Sequence, residues 1–149
     1  MDNPRSARQR WMSVLARAET DRLRALLEDQ APLPEYTVLR GPEAGLVMVR
    51  GRAGGGGAAF NLGEMTVTRC TVRTETGLIG HAYVQGRDEK RAELAALTDA
   101  LMLDPGRTDA LERQVITPLE CQQEQRKEER AAKAAATRVQ FLAMQTMRT

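Results

Sequence analysis

Met65-Thr66-Val67-Thr68-Arg69-Cys70-Thr71-Val72-Arg73-Thr74-Glu75-Thr76-Gly77-Leu78-Ile79-Gly80-His81-Ala82-Tyr83-Val84-Gln85 is the stretch that decides the fold class. Apolar and β-branched residues alternate with polar ones on either side of Thr74-Glu75-Thr76-Gly77, which has the composition of a hairpin loop. So short a connection has no room for a crossover helix, so the two strands are antiparallel. Met65 and Val67 have the opposite parity to Cys70 and Val72, which predicts a bulge or bend near Thr68 or Arg69. Upstream, Tyr36-Thr37-Val38-Leu39-Arg40 reads as a strand closed by Gly41-Pro42. Leu46-Val47-Met48-Val49 is apolar at every position, the pattern of a strand covered on both faces. Gly54 to Gly57 then interrupt before Ala58-Ala59-Phe60.

Helical periodicity brackets this strand region. Trp11, Val14, Leu15 and Ala18 share one helix face, in a helix starting at Asn3-Pro4 or Ser6. Leu23, Leu26 and Leu27 repeat the spacing after Thr20-Asp21, an expected N-cap, and Ala31-Pro32-Leu33-Pro34 stops that second helix. Asp88 is placed to cap a helix in which Leu94, Leu97 and Leu101 align. Its added alanines and Met102 leave little surface for solvent, so it is the expected cover of the sheet. After Asp104-Pro105-Gly106, Thr108 begins a shorter helix with Leu111, Val115 and Ile116. Thr117-Pro118-Leu119-Glu120 then has the signature of a fresh helix start. The expectation is an α+β fold: an antiparallel sheet of about four strands, flanked by N-terminal helices and a long helix, with a C-terminal interaction helix. Residues 1–117 form the core domain and residues 118–149 a helical extension. That last helix is polar through its middle, with an apolar tip at Val139, Phe141, Leu142, Met144 and Met147, a candidate partner interface.

Composition narrows the functional classes. The chain has 149 residues, 42% of them hydrophobic, and only five aromatics: Trp11, Tyr36, Phe60, Tyr83 and Phe141. A short chain with few large side chains has limited surface to bury, which makes a partner surface plausible. With 22 basic and 20 acidic residues, charge gives no reason to expect nucleic-acid binding. The run Gln125-Arg126-Lys127-Glu128-Glu129-Arg130 reads as a solvated face with i,i+4 pairs. Cys70 and Cys121 are far apart and, without a signal-peptide pattern, are expected as reduced thiols in the cytoplasm. No apolar run approaches the length that spans a bilayer.

No nucleophile motif, zinc spacing or dinucleotide fingerprint occurs. His81 is the single histidine, so a triad or histidine-based metal cluster within one chain is excluded. On a strand beside Tyr83 it reads as a packed or surface residue, with a role completed by another subunit left open. No catalytic residue and no metal ligand is expected. The candidates for anion binding are Arg50, Arg52, Gly54, Gly55 and Gly56, a Gly-rich loop with flanking guanidiniums, and Arg87 before a helix N-terminus. The competing readings are a flexible hairpin tip, since the Lys-Ser/Thr ending of a P-loop is missing, and an ordinary Asp88 cap.

Four segments carry a resemblance that runs in order along nearly the whole chain. They are Arg8-Gln9-Arg10-Trp11-Met12-Ser13-Val14-Leu15-Ala16, Phe60-Asn61-Leu62-Gly63-Glu64-Met65-Thr66-Val67-Thr68-Arg69, Tyr83-Val84-Gln85-Gly86-Arg87-Asp88, and Ala92-Glu93 with Asp99-Ala100-Leu101. Thr137-Arg138-Val139 with Phe141 and Met144 continues it. The sequence resembles the PhnG family, the G subunit of the bacterial carbon–phosphorus lyase complex. It departs from that family at Arg91, where histidine often precedes the Ala-Glu pair. The resemblance implies a subunit of a multi-subunit transferase, not expected to catalyse alone. Its partners would be the H, I and J subunits, the I subunit closest, with the L protein acting alongside. The assembly would convert ATP and an alkylphosphonate into ribose 1-alkylphosphonate 5-triphosphate, releasing adenine. No cofactor is expected on this chain. The complex would use ATP with magnesium, and an iron–sulfur cluster with S-adenosylmethionine on another subunit. The alternative is a free-standing phosphate- or nucleotide-binding module built on the Gly-rich loop.

Overall fold

A computed structural model describes residues 4–52 and 56–146, with side chains described over residues 6–52 and 56–137. The order is α1 (Pro4–Ala16), α2 (Thr20–Glu28), β1 (Tyr36–Gly51), β2 (Phe60–Thr74), β3 (Ile79–Gln85), α3 (Glu89–Met102), α4 (Thr108–Leu111), a π turn (Glu112–Ile116) and α5 (Thr117–Thr146). The strands form one antiparallel sheet in the order β1-β2-β3. This is the expected α+β arrangement.

Three strands stand where about four were expected, because the segments at 36–40 and 46–49 are one strand. Gly41-Pro42 looks like a strand stop, yet the chain bulges there and goes on. Register shifts fall between Val38 and Arg40 and between Arg40 and Glu43, so the bulge sits in β1, opposite Arg69 to Thr71. β2 itself pairs with β3 without interruption from Val67 to Arg73, so β2 has no bend of its own there. Gly41 has φ +74°, and a Cβ there would lie 2.5 Å from the Arg69 carbonyl oxygen. Only glycine carries the strand through this point.

The 74–77 hairpin forms as read. Thr74 N donates to Leu78 O at 2.9 Å, Gly77 N to Thr74 O at 2.9 Å, and Gly77 takes φ +90°. Thr68, Cys70, Val72 and Thr74 of β2, with Gly80, Ala82 and Val84 of β3, present a face of small and medium side chains. On it lies α3, every residue of which from Leu94 to Met102 is buried. At Gly80 a Cβ would overlap the Ala96 carbonyl oxygen, so that glycine sets how closely α3 approaches. Trp11, Val14, Leu15, Leu23, Leu26 and Leu27 complete the core from α1 and α2, and Leu111, Val115, Ile116 and Leu119 close it.

Two helix starts differ from the sequence expectation. Thr20 opens α2 itself, after Glu19, and its hydroxyl donates instead to Asp88 Oδ2 at 2.5 Å. Thr117 is helical, φ −60° and ψ −46°, so the chain passes from α4 through the π turn into α5 without a break. Pro118 has no N–H to offer the preceding turn, and the wider turn absorbs that loss. α5 runs for 30 residues, about 45 Å. Its first turns are tied to α1, and from Glu124 to Thr137 every side chain is exposed.

Candidate partner interface

One face of the sheet is occupied by α3; the other carries no helix among the described residues. The open face is laid out in rows across β1, β2 and β3: Thr37, Arg73 and Ile79; Arg40, Thr71 and His81; Glu43, Arg69 and Tyr83. Tyr83 is 56% exposed and Ile79 41%. Glu43 accepts from Arg40 Nε at 2.9 Å and from Arg69 Nε at 2.7 Å, and these two bonds hold its carboxyl below the usual range. Thr71 Oγ1 and His81 Nδ1 lie 3.1 Å apart. His81 is thus a surface histidine held by a neighbouring hydroxyl.

Beyond this platform β1 and β2 continue as a two-stranded ribbon. β3 pairs with β2 only from Val67 onward, so residues 60–65 have β1 as their one strand neighbour among the described residues. Leu46 is 65% exposed, Met48 54%, Phe60 46% and Leu62 59%. The sequence reading of Leu46 to Val49 as covered on both faces is therefore corrected: Leu46, Val47 and Met48 are exposed, and Val49 is half-buried. Leu46 and Met48 lie on one face of the ribbon, and Val47, also exposed, on the other. Isolated two-stranded ribbons are marginal in water, and a contiguous exposed apolar surface marks an interaction site.

The anion-binding candidates are spread over the molecule. Arg50 lies opposite Asn61 near the ribbon's far end, Arg52 follows β1, and Gly56 is in the turn beyond. Gly54 and Gly55 fall outside the described residues. Arg87 is exposed at the other end, past Gln85, which pairs with Val67. From Asn61 to Val67 is roughly 20 Å along β2 at ~3.3 Å per residue. Arg87 therefore does not join Arg50 and Arg52. At the α3 N-terminus, Asp88 Oδ1 accepts from Arg91 N at 2.9 Å, and hydrogen bonds from Thr20 and then Arg91 N keep its carboxyl low. Arg91 donates to the carbonyls of Ala18 and Gln85, pinning the α1–α2 link and the end of β3 to α3. Of the α5 candidates, Val139, Phe141, Leu142 and Met144 are helical, with side chains outside the described residues, and Met147 lies wholly outside them.

Sequence reasoning missed Asp99. It is fully buried within α3, and each oxygen takes two hydrogen bonds. Oδ1 accepts from Arg8 Nε at 3.2 Å and Trp11 Nε1 at 2.8 Å; Oδ2 accepts from Arg8 Nη2 at 2.8 Å and from the His81 backbone N at 2.9 Å. The signal was present: an aspartate inside an otherwise apolar helix face needs donors. Tyr36 similarly donates to Glu93, and burial followed by that bond pushes its phenol up to about 12. Both arrangements lock the fold. No group of three or more His, Cys, Asp and Glu able to hold a metal occurs among the described residues.

The model of a family described as "Phosphonate metabolism protein PhnG" matches residues 6–148. The chain is also 45% identical over 140 residues to the alpha-D-ribose 1-methylphosphonate 5-triphosphate synthase subunit PhnG of Rhizobium meliloti (strain 1021), covering 92% of this chain and 87% of that protein.

Proposed function

Because this chain belongs to the PhnG family of phosphonate metabolism proteins, we propose that it is an accessory subunit of the synthase that makes ribose 1-alkylphosphonate 5-triphosphate from ATP and alkylphosphonate. Adenine is the leaving product. The chain supplies shape and contact surface, and the reacting groups come from elsewhere in the assembly. The observation that carries this is the β1–β2 ribbon, whose exposed Leu46, Met48, Phe60 and Leu62 have no cover among the described residues. The lone, surface-held His81 supports the same division of labour.

The partners are the H, I and J subunits, with the I subunit against the ribbon and open sheet face, and the L protein acting alongside. Val139, Phe141, Leu142, Met144 and Met147, near the C-terminal end of the sequence, are a second contact. ATP with magnesium, and an iron–sulfur cluster with S-adenosylmethionine, belong to other subunits. The chain works in the cytoplasm, and no helix among its described residues is long and apolar enough to cross a membrane.

The test is co-expression with the other subunits, scoring co-purification and adenine release. Wild-type chain should assemble, and the double variant Leu46→Asp/Leu62→Asp should not. Loss of an interface anchor costs at least about 2 kcal/mol. Far-UV circular dichroism of the variant should match wild type, since both positions are exposed. Full assembly and activity of the double variant would remove the ribbon from the interface.

A further inference from the structure

A groove of about 480 Å³ lies between α1 and the root of α5, away from the ribbon. That is within the roughly 300–1,000 Å³ of small-ligand sites. Its lining includes Arg10, Arg17, Arg126, Lys127 and Arg130 against Glu120 and Glu124. Not all of these cations are available. Arg10 donates to Glu120 at 3.1 and 2.7 Å and pairs with Glu112 at 2.7 Å, so its guanidinium is held firmly protonated and neutralised. Arg126 pairs with Glu19 at 2.6 Å, and Gln123 Nε2 donates to Val14 O at 2.8 Å. These three ties join α5 to α1 and to the residue that precedes α2. They fix the walls without filling the space.

The surplus is Arg17, Lys127 and Arg130, with Glu124 as the one lining carboxylate left unpaired among the described residues. Among the described residues the Arg17 guanidinium donates only to the neutral Ser13 Oγ, at 3.0 Å. Lys127 and Arg130 make no ion pair among the described residues. Those two stand one turn apart on α5, about 4.5 Å of rise, with Arg17 on the α1 wall. Cations spaced along a groove match a chain of phosphates better than one tetrahedral ion, and both side-chain types bind phosphate oxygens well. We propose that this α1–α5 groove binds a linear oligophosphate through Arg17, Lys127 and Arg130. The site stands independently of the accessory-subunit reading, since none of its residues belongs to the ribbon.

Lysine acylation read by mass spectrometry tests this on the full chain, alone or assembled. The chain has three lysines, and Lys90 and Lys133 serve as internal references for Lys127. Tripolyphosphate at twice its Kd should slow Lys127 acylation about threefold. At matched ionic strength, inorganic phosphate should slow it far less, and ATP should act like tripolyphosphate. Arg130→Gln should shift the protection to higher tripolyphosphate concentration. Equal slowing of all three lysines, or none, would overturn the proposal. So would protection by ATP without tripolyphosphate, or by polyglutamate alone, the latter marking an acidic protein segment as the occupant.

Discussion

Asp99→Asn is nearly isosteric, so its effect isolates the hydrogen bonding of the buried carboxylate. In the native chain two oxygens accept four bonds, from Arg8 Nε and Nη2, Trp11 Nε1 and His81 N. An asparagine must present its NH2 to one pair of those donors, which removes two bonds and sets donor against donor. If the amide faces Oδ1's partners, Trp11 is stranded; if it faces Oδ2's, the His81 N–H is. Each buried group left unsatisfied costs about 1–3 kcal/mol. Arg8 is one-third exposed and can turn toward water, so the charge term falls below the roughly 3–5 kcal/mol seen when a fully buried pair is broken. The expected loss is about 2–4 kcal/mol, a large share of the roughly 5–15 kcal/mol that holds a domain together. Urea unfolding followed by Trp11 fluorescence measures it, and the single tryptophan is itself part of the network. The midpoint should fall by about 0.7 M or more for an m-value of roughly 1–3 kcal/mol/M. A loss under about 1 kcal/mol would refute the reasoning, showing that water or repacking satisfies these donors. A double-mutant cycle with Arg8→Met in the same assay should give a measurable coupling energy between Arg8 and Asp99.

Gly80→Ala should cost about 2–3 kcal/mol or more, because its methyl group would run into the Ala96 carbonyl and lie 2.5 Å from Ala100 N. A thermal melt within a degree of wild type would show that α3 can step aside. The two thiols should separate cleanly: exposed Cys121 alkylated at once at pH 8, buried Cys70 only on unfolding. Burial, then the nearby Glu93, pushes the Cys70 thiol up to about 11. The folded state therefore holds that proton more tightly. Its stabilising contribution is complete below the ordinary thiol range near 8.5 and fades as pH rises toward 11. Two fast thiols in the native chain would contradict the packing of β2 against α3.

The elements that sequence made legible are those set by local chemistry. The Thr74–Gly77 turn and the Asp88 cap involve neighbours a few residues apart, and both form as read. Gly41-Pro42 and Thr117-Pro118 misled because their local signatures mark ends, whereas β1 and the α4–α5 run continue through them. Pairing along the rest of the strand, and a π turn, outweighed the local preference. Leu46 to Val49 misled differently. A fully apolar strand says that both faces avoid water, but not which molecule covers them. Asp99 signalled its need for donors, but the donors were out of reach because Arg8, 91 residues away, meets it only through the fold. Of the anion-binding candidates, only the register of β2 shows that Arg87 stands apart from Arg50 and Arg52.

The two sides of the sheet end differently, and this fixes its valence. At β3 the Asp99 carboxylate takes the His81 N–H, and α1 packs along the strand, so that border is closed. At β1 no further strand is paired among the described residues, so that border is open. A sheet with two open borders is bivalent and can propagate into a fibre, each copy templating the next. This one is monovalent toward its own kind: a second copy paired through its own β1 leaves only the two β3 borders outermost. The chain can therefore display a long apolar edge to an assembly and still terminate growth after a single pairing.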